Sequence, residues 1–198
     1  MVHLDQYRTV AGTALSHHVV KKSRFFGEAT FVRTQTSVKK ILAEVEERNP
    51  RASHYCYAYS IGSGSTRREY ATDAGEPTHS AGPPILSAIR AYDLSNVVCV
   101  VARYYGGINL GVGGLIRAYG QCARDCFSNA AIEIRTFYEK LCLRVDYTNI
   151  GNVVNLCKRL GGKVVDIKYD PDPVVEMQIR RSTLDTFHSQ LQGYGILT

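Results

Sequence analysis

The chain has 198 residues, of which 44% are apolar, with thirteen Tyr, no Trp and a formal net charge of +6. That length suits one domain of about 130 residues plus a small second one. No run approaches the ~18 apolar residues of a membrane span, and the start, MVHLDQYRTV, lacks the apolar core of a signal peptide. A soluble cytoplasmic protein with no membrane partner is therefore expected. The basic balance suits nucleic acid or another polyanion, and it equally suits a solvated basic surface.

In chain order, FFGEATFVR (Phe25 to Arg33) alternates as a strand. Val38, Ile41, Leu42 and Val45 then recur at helical spacing, with Thr36 or Ser37 placed to cap. HYCYAYSI (His54 to Ile61) is a Tyr-rich strand, and GSGSTRRE turns it back into EYAT as a hairpin. DAGEPTHSAGPP (Asp73 to Pro84) is a loop by composition. Pro83-Pro84 can open a helix, because proline near a helix start loses no hydrogen bond; its apolar face is Ile85, Leu86, Ile89 and Tyr92. Val97 to Tyr105 is uniformly apolar at its start and reads as a central strand. Leu115, Tyr119, Cys122 and Cys126 mark an amphipathic helix.

The pattern resets between Ile132 and Tyr138. LCLRVDY (Leu141 to Tyr147) reads as a strand. Val153, Val154, Leu156, Cys157 and Leu160 form a helix closed by Gly161-Gly162. KVVDIKY and VVEMQIR are strands joined across DPDP, and Ser182 is placed to cap a last helix carrying Leu184, Phe187 and Leu191. The tail thus reads β-α-β-β-α, a two-layer α+β unit.

Of the six cysteines, none forms a CxxC pair. Cys122 and Cys126 share a helix face, but no histidine stands at ligand spacing, so core thiols are expected and no metal or cofactor. His54 and Cys56 lie two apart on one strand face and read as packing residues.

Two stretches invite a functional reading. In RYYGGINLGVGGLIRAYG (Arg103 to Gly120), five of the nine residues from Gly106 to Gly114 are glycine. Between a strand and a helix, such a stretch can aim several backbone N–H groups at one anion, with the helix N-terminus, Arg103 and Arg117 adding charge. Gly113 is a position where positive φ or close approach is expected. The alternative is a tight turn where strand and helix pack backbone to backbone. No GK[ST] follows, so this is not a P-loop. Lys21, Lys22, Ser23 and Arg24 read either as a surface patch or as phosphate contacts. In the second stretch, Asp73, Glu76 and His79 could do acid–base chemistry, or could be turn formers and helix-start charges.

The segments KKSRFF, ASHYCYAYSIG, ATDAGEPTHSAGPPIL and VARYYGGINLGVGGLIRAY resemble the IMPACT/YigZ family in order and spacing, over about residues 5 to 135. The resemblance implies an α+β protein. Residues 1–135 would have the fold of ribosomal protein S5 domain 2, and residues 138–198 a small ferredoxin-like fold. It also implies a role in translation. Eukaryotic members bind the activator of an initiation-factor kinase, and bacterial members are suggested to bind RNA or the ribosome, with no enzymatic activity firmly attached. The implied partner is therefore RNA or a ribosome-associated protein, with phosphate or another anion at the glycine-rich turn; the alternatives are a small enzyme acting on a phosphorylated or carboxylated metabolite, using Asp73, Glu76 and the glycine turn, and a pure protein-interaction module. The family residues carried over are Lys22, Ser23 and Arg24; His54, Cys56 and Tyr57; Asp73, Gly75, Glu76 and Pro77; and Arg103, Tyr104, Gly106, Gly107, Gly111, Gly113, Gly114, Arg117 and Tyr119. Ala74 stands where the family pattern has a second acid.

Overall fold

The chain folds as a mixed α+β protein, and the computed structural model describes residues 5–62, 66–169 and 172–193. The elements are β1 (Gln6–Val10), β2 (Thr13–Val20), β3 (Ser23–Phe31), α1 (Gln35–Arg48), β4 (His54–Ile61), β5 (Arg68–Thr72), α2 (Gly82–Ala91), β6 (Val97–Tyr104), α3 (Gly111–Asn129) and β7 (Ile132–Thr136). They continue with β8 (Tyr138–Arg144), α4 (Ile150–Arg159), β9 (Lys163–Lys168), β10 (Val174–Arg180) and α5 (Leu184–Gly193). The chain divides into two compact units. One is Arg8–Ile134; the other comprises the described parts of Met1–Tyr7 and Arg135–Thr198. The segment just before Arg8 thus groups with the tail, whereas the sequence reading placed it in the first domain. β1 pairs with β7 in a two-stranded sheet.

In the Arg8–Ile134 unit a five-stranded sheet runs in the order β2-β3-β6-β4-β5, and all neighbours are antiparallel. β6 is central, as its apolar run requires: every residue from Val97 to Arg103 is buried. Side chains alternate across a strand, so Val97, Cys99 and Val101 join Phe25, Ile85, Ile89, Tyr119 and Phe127 in a core with α2 and α3. Val98 and Val100 face the other way and pack with Val38 and Val45 of α1. Each such fully buried Val or Ile contributes about 1.5–3 kcal/mol, so the sheet core dominates this unit's stability.

Local chemistry sets the element ends. α2 opens on Pro83-Pro84 as read. α1 is capped by Thr34, whose hydroxyl accepts the Ser37 N–H at 3.1 Å; Thr36 and Ser37 themselves lie inside the helix, two and three residues past the capping position. β2 and β3 form a hairpin with Val20 opposite Ser23, turning through Lys21 and Lys22 at φ 44° and 68°. β1, β2 and β7 were not read from the sequence. β4 and β5 pair as a hairpin, though residues 63–65 of its expected turn lie outside the described residues.

In the other unit the sheet order is β8-β10-β9. Alternate residues of β10, Val175, Met177 and Ile179, are buried with Val153, Leu156 and Cys157 of α4 and Phe187 and Leu191 of α5. β8 starts at Tyr138 and ends at Arg144, earlier than the expected strand, because Tyr147–Asn149 turns into a 3₁₀ helix that leads into α4. Gly161, at φ 71°, ends α4 as expected. The DPDP turn includes residues 170–171, which lie outside the described residues. Ser182 does not cap α5; it sits in a 3₁₀ turn, and its N–H and hydroxyl both donate to the Asp5 carboxylate.

Candidate functional site

The proline loop between β5 and α2 is wound around Asp73. The Asp73 carboxylate accepts the backbone N–H groups of His79 at 2.8 Å, Ala81 at 2.9 Å and Gly82 at 2.8 Å. It thereby supplies the cap that Ala81, at the α2 N-cap position, lacks. Burial raises its pKa, but the three backbone donors outweigh that and hold it below the ordinary 3.8. Cys56 donates to the Asp73 carbonyl at 3.0 Å, and His54 Nδ1 pairs with the Ala74 carbonyl at 2.9 Å. Asp73 therefore acts as the loop's internal anchor, which matches its reading as a turn former.

That loop delivers Glu76 to Arg103. Glu76 Oε1 accepts from Arg103 Nη1 at 2.6 Å and from Tyr119 Oη at 2.7 Å, and His54 Nε2 stands 4.0 Å away. Both members of the ion pair are buried, with side chains only 6% and 3% exposed. Arg103 lies between the rings of Phe25 and Tyr105, 5.6 and 5.4 Å from their centroids. Its Nη2 reaches Ser23 Oγ at 3.4 Å, while its buried Nε has no hydrogen-bond partner among the described residues. Burial pushes the Cys56 thiol up to about 12 and raises Tyr119 above its usual value, so at neutral pH Tyr119 stays a donor. A cleft of about 550 Å³ opens above this pair, lined by His54, Glu76, Arg103, Tyr105, Leu110 and Val112 among others.

The glycine stretch does not form one loop. β6 ends at Tyr104 and α3 starts at Gly111, so Gly111, Gly113 and Gly114 belong to the helix. Gly106 is required by close approach: a Cβ there would stand 2.2 Å from the Lys22 carbonyl carbon and 2.4 Å from the Ser23 nitrogen. Its N–H donates to Ser23 Oγ at 3.2 Å and is therefore not aimed at a ligand. Gly107 and Gly111 hold positive φ, 80° and 69°. Gly113 does neither: its φ is not positive, and a Cβ there would meet only Arg117 Nη1, at 3.6 Å. The expectation of a backbone constraint at Gly113 is corrected accordingly.

Arg103 and Arg117 do not converge. Arg103 faces Glu76, whereas Arg117 is exposed and lines a second cleft of about 320 Å³ with His18, Lys21, Gly114, Gln121 and Arg124. Lys21, Gly114 and Arg117 are thus brought together, and Lys22 and Arg24 are exposed on the hairpin. Ser23 is buried beneath them. Arg24 lies over the Tyr104 ring, 5.0 Å from its centroid. Arg124 and His18 were missed. Arg124 follows Arg117 by seven residues, two helical turns on one face, a signal present in the sequence. His18 lies 3.9 Å from Asp125, a pairing that depends on the unread strand β2. Cys122 and Cys126 are buried against Ser16 Oγ at 3.2 and 3.1 Å.

Residues 21–127 match the family model of the Impact N-terminal domain. The chain is 30% identical over 184 residues to IMPACT family member YvyE of Bacillus subtilis, covering 93% of this chain and 84% of that protein. It is 26% identical over 177 residues to IMPACT family member YigZ of Escherichia coli, covering 89% and 87%. A crystal structure of a hypothetical protein superposes with a TM-score of 0.74 at 25% identity, over 96% of this chain and 93% of the other.

Two outcomes follow from this geometry. Asp73→Asn lowers stability at neutral pH by about 1–2 kcal/mol, because both carboxylate oxygens accept loop N–H groups and the amide nitrogen that replaces one of them cannot. Because the folded pKa is depressed, the contribution of Asp73 is complete above the unfolded value and vanishes as pH falls through the lower folded one. Denaturation midpoints of the variant and the wild type therefore begin to converge as pH falls below the unfolded value of about 3.9 and meet only below the lower folded one. Gly106→Ala costs about 3 kcal/mol by forcing the hairpin turn away. Gly113→Ala is neutral or stabilising by up to about 1 kcal/mol. Thermal melts of the two glycine variants check the contrast.

Proposed function

Because the chain belongs to the IMPACT family, we propose that it is a cytoplasmic binding protein of the translation apparatus that holds the phosphates of RNA. The observation that carries this reading is the cleft shared by Lys21, Arg117 and Arg124, beside Gly114 in the first turns of α3. Three cations reach one concave surface, and the acid next to it, Asp125, faces His18. Low-dielectric walls around like charges focus the field on an incoming polyanion, and phosphate neutralisation supplies most of the non-specific affinity for nucleic acid. The net charge of +6 adds to that attraction.

The acidic residues support binding over acid–base chemistry. Asp73 is taken up by loop N–H groups, and Glu76 by Arg103 and Tyr119. For the fold we propose the ribosomal protein S5 domain 2 type in the Arg8–Ile134 unit and a ferredoxin-like type in the other. The β-α-β-β-α order of β8 to α5, with β10 between β8 and β9, supports the second assignment.

A short single-stranded RNA should bind, with affinity falling steeply as salt rises. Each phosphate neutralised contributes about −0.7 to the slope of log K against log salt. Arg117→Gln and Arg124→Gln each flatten that slope by about one such step and leave the melting temperature unchanged. Absence of salt-sensitive binding at low ionic strength would overturn the reading.

A further inference from the structure

α1 covers only part of its face of the sheet. Its buried residues Val38 and Val45 pack with Tyr59, Val98 and Val100 of β4 and β6. Towards β2 the same face is open: Leu15 and Val19 are 63% and 54% exposed, and His17 and Arg24 are exposed as well. A row of rings crosses this open part. His17 stacks on Phe26, its directly opposed partner, with centroids 4.5 Å apart and planes 13° from parallel. Phe26 meets Tyr104 edge to face at 5.7 Å. Arg24 stands opposite Tyr104 in the ladder and lies over its ring.

The charge around this row is positive. The hairpin tip next to Arg24 carries Lys21 and Lys22, both exposed, in the left-handed conformation that such tight turns normally give to Asn-Gly. Two lysines held there are strained, and strain of this kind concentrates at functional sites. Glu28, the acid of β3 on this face, is neutralised by Arg48 of α1, with both oxygens 2.7 Å from Arg48 Nη2. Cross-strand ring pairing stabilises a sheet by itself, but it does not call for cations at a strained tip. Aromatic faces beside backbone-tracking cations are what a single-stranded nucleic acid uses, since every base offers a face to stack.

We propose that His17, Phe26 and Tyr104 form a stacking platform for the bases of single-stranded RNA, with Lys22 and Arg24 on its phosphates. The proposal rests on the RNA reading above and deepens it. The cleft of Lys21, Arg117 and Arg124 lies on the α3 side of the sheet and the platform on the α1 side, and the β2–β3 hairpin is common to both. β2 is an edge strand of the five-stranded sheet, so a strand of RNA can pass around it.

The test compares a twelve-residue oligouridylate with an abasic oligomer of equal length, by fluorescence anisotropy at fixed salt, on the full chain. The wild type should bind the oligouridylate about five- to a hundredfold more tightly. Phe26→Leu should abolish most of that preference while leaving the salt slope intact; a melt confirms that it folds. His17→Ala, a change at an exposed position, should reduce the preference and serves if Phe26→Leu does not fold. Equal binding of the two oligomers by the wild type, or folded variants that keep the full preference, overturns the platform and leaves the phosphate cleft standing. Binding of neither oligomer at low salt overturns both.

Discussion

A guanidinium buried at the end of a central strand constrains everything around it. Arg103 closes the run of buried residues in β6, and an uncompensated charge there would cost several kcal/mol. The loop after β5 answers that need. Asp73 gathers three loop N–H groups, the loop is held in one shape, and Glu76 arrives within 2.6 Å of Arg103. Tyr119 of α3 then ties the same carboxylate to the helix. Strand, loop and helix are thus joined through one carboxylate oxygen. This explains why residues that look catalytic in the sequence are already engaged.

Much of the fold was legible because it rests on local signals. The apolar run of β6 predicted its central place, Pro83-Pro84 the start of α2, and Gly161 the end of α4. β2 was not legible because TALSHHVV has no clean alternation. Its inward face carries Ser16 and His18, which meet Cys122 and Asp125 of α3, while Leu15 and Val19 point to solvent. Only contacts more than a hundred residues away make that pattern sensible. The site was half legible for a related reason. The glycines were visible, but sequence alone does not separate a close approach at Gly106 from positive φ at Gly107 or from a plain helical position at Gly113. Arg103 and Arg117 flank the stretch symmetrically in sequence, and the turn from strand to helix sends them to different clefts.

The placement of cations follows the same logic. Inside, Arg103 is matched by Glu76, so it contributes orientation rather than net field. Outside, Lys21, Arg117 and Arg124 line one cleft, and Lys22 and Arg24 stand on the hairpin. The β2–β3 tip and α3 thus each carry exposed cations, whereas the cation beside the acidic loop, Arg103, is buried and paired.

The hairpin tip is fixed by the buried pair. Two lysines in left-handed backbone conformation persist only where their surroundings over-determine them. Here Gly106 presses against the backbone of Lys22 and Ser23, at distances that exclude any side chain. Ser23 Oγ accepts from both the Gly106 N–H and Arg103 Nη2. The buried arginine that needs Glu76 therefore also holds the serine beneath the basic tip. A change that frees Arg103 will be felt first at Ser23 and then at Lys22 and Arg24, on the exposed surface of the hairpin.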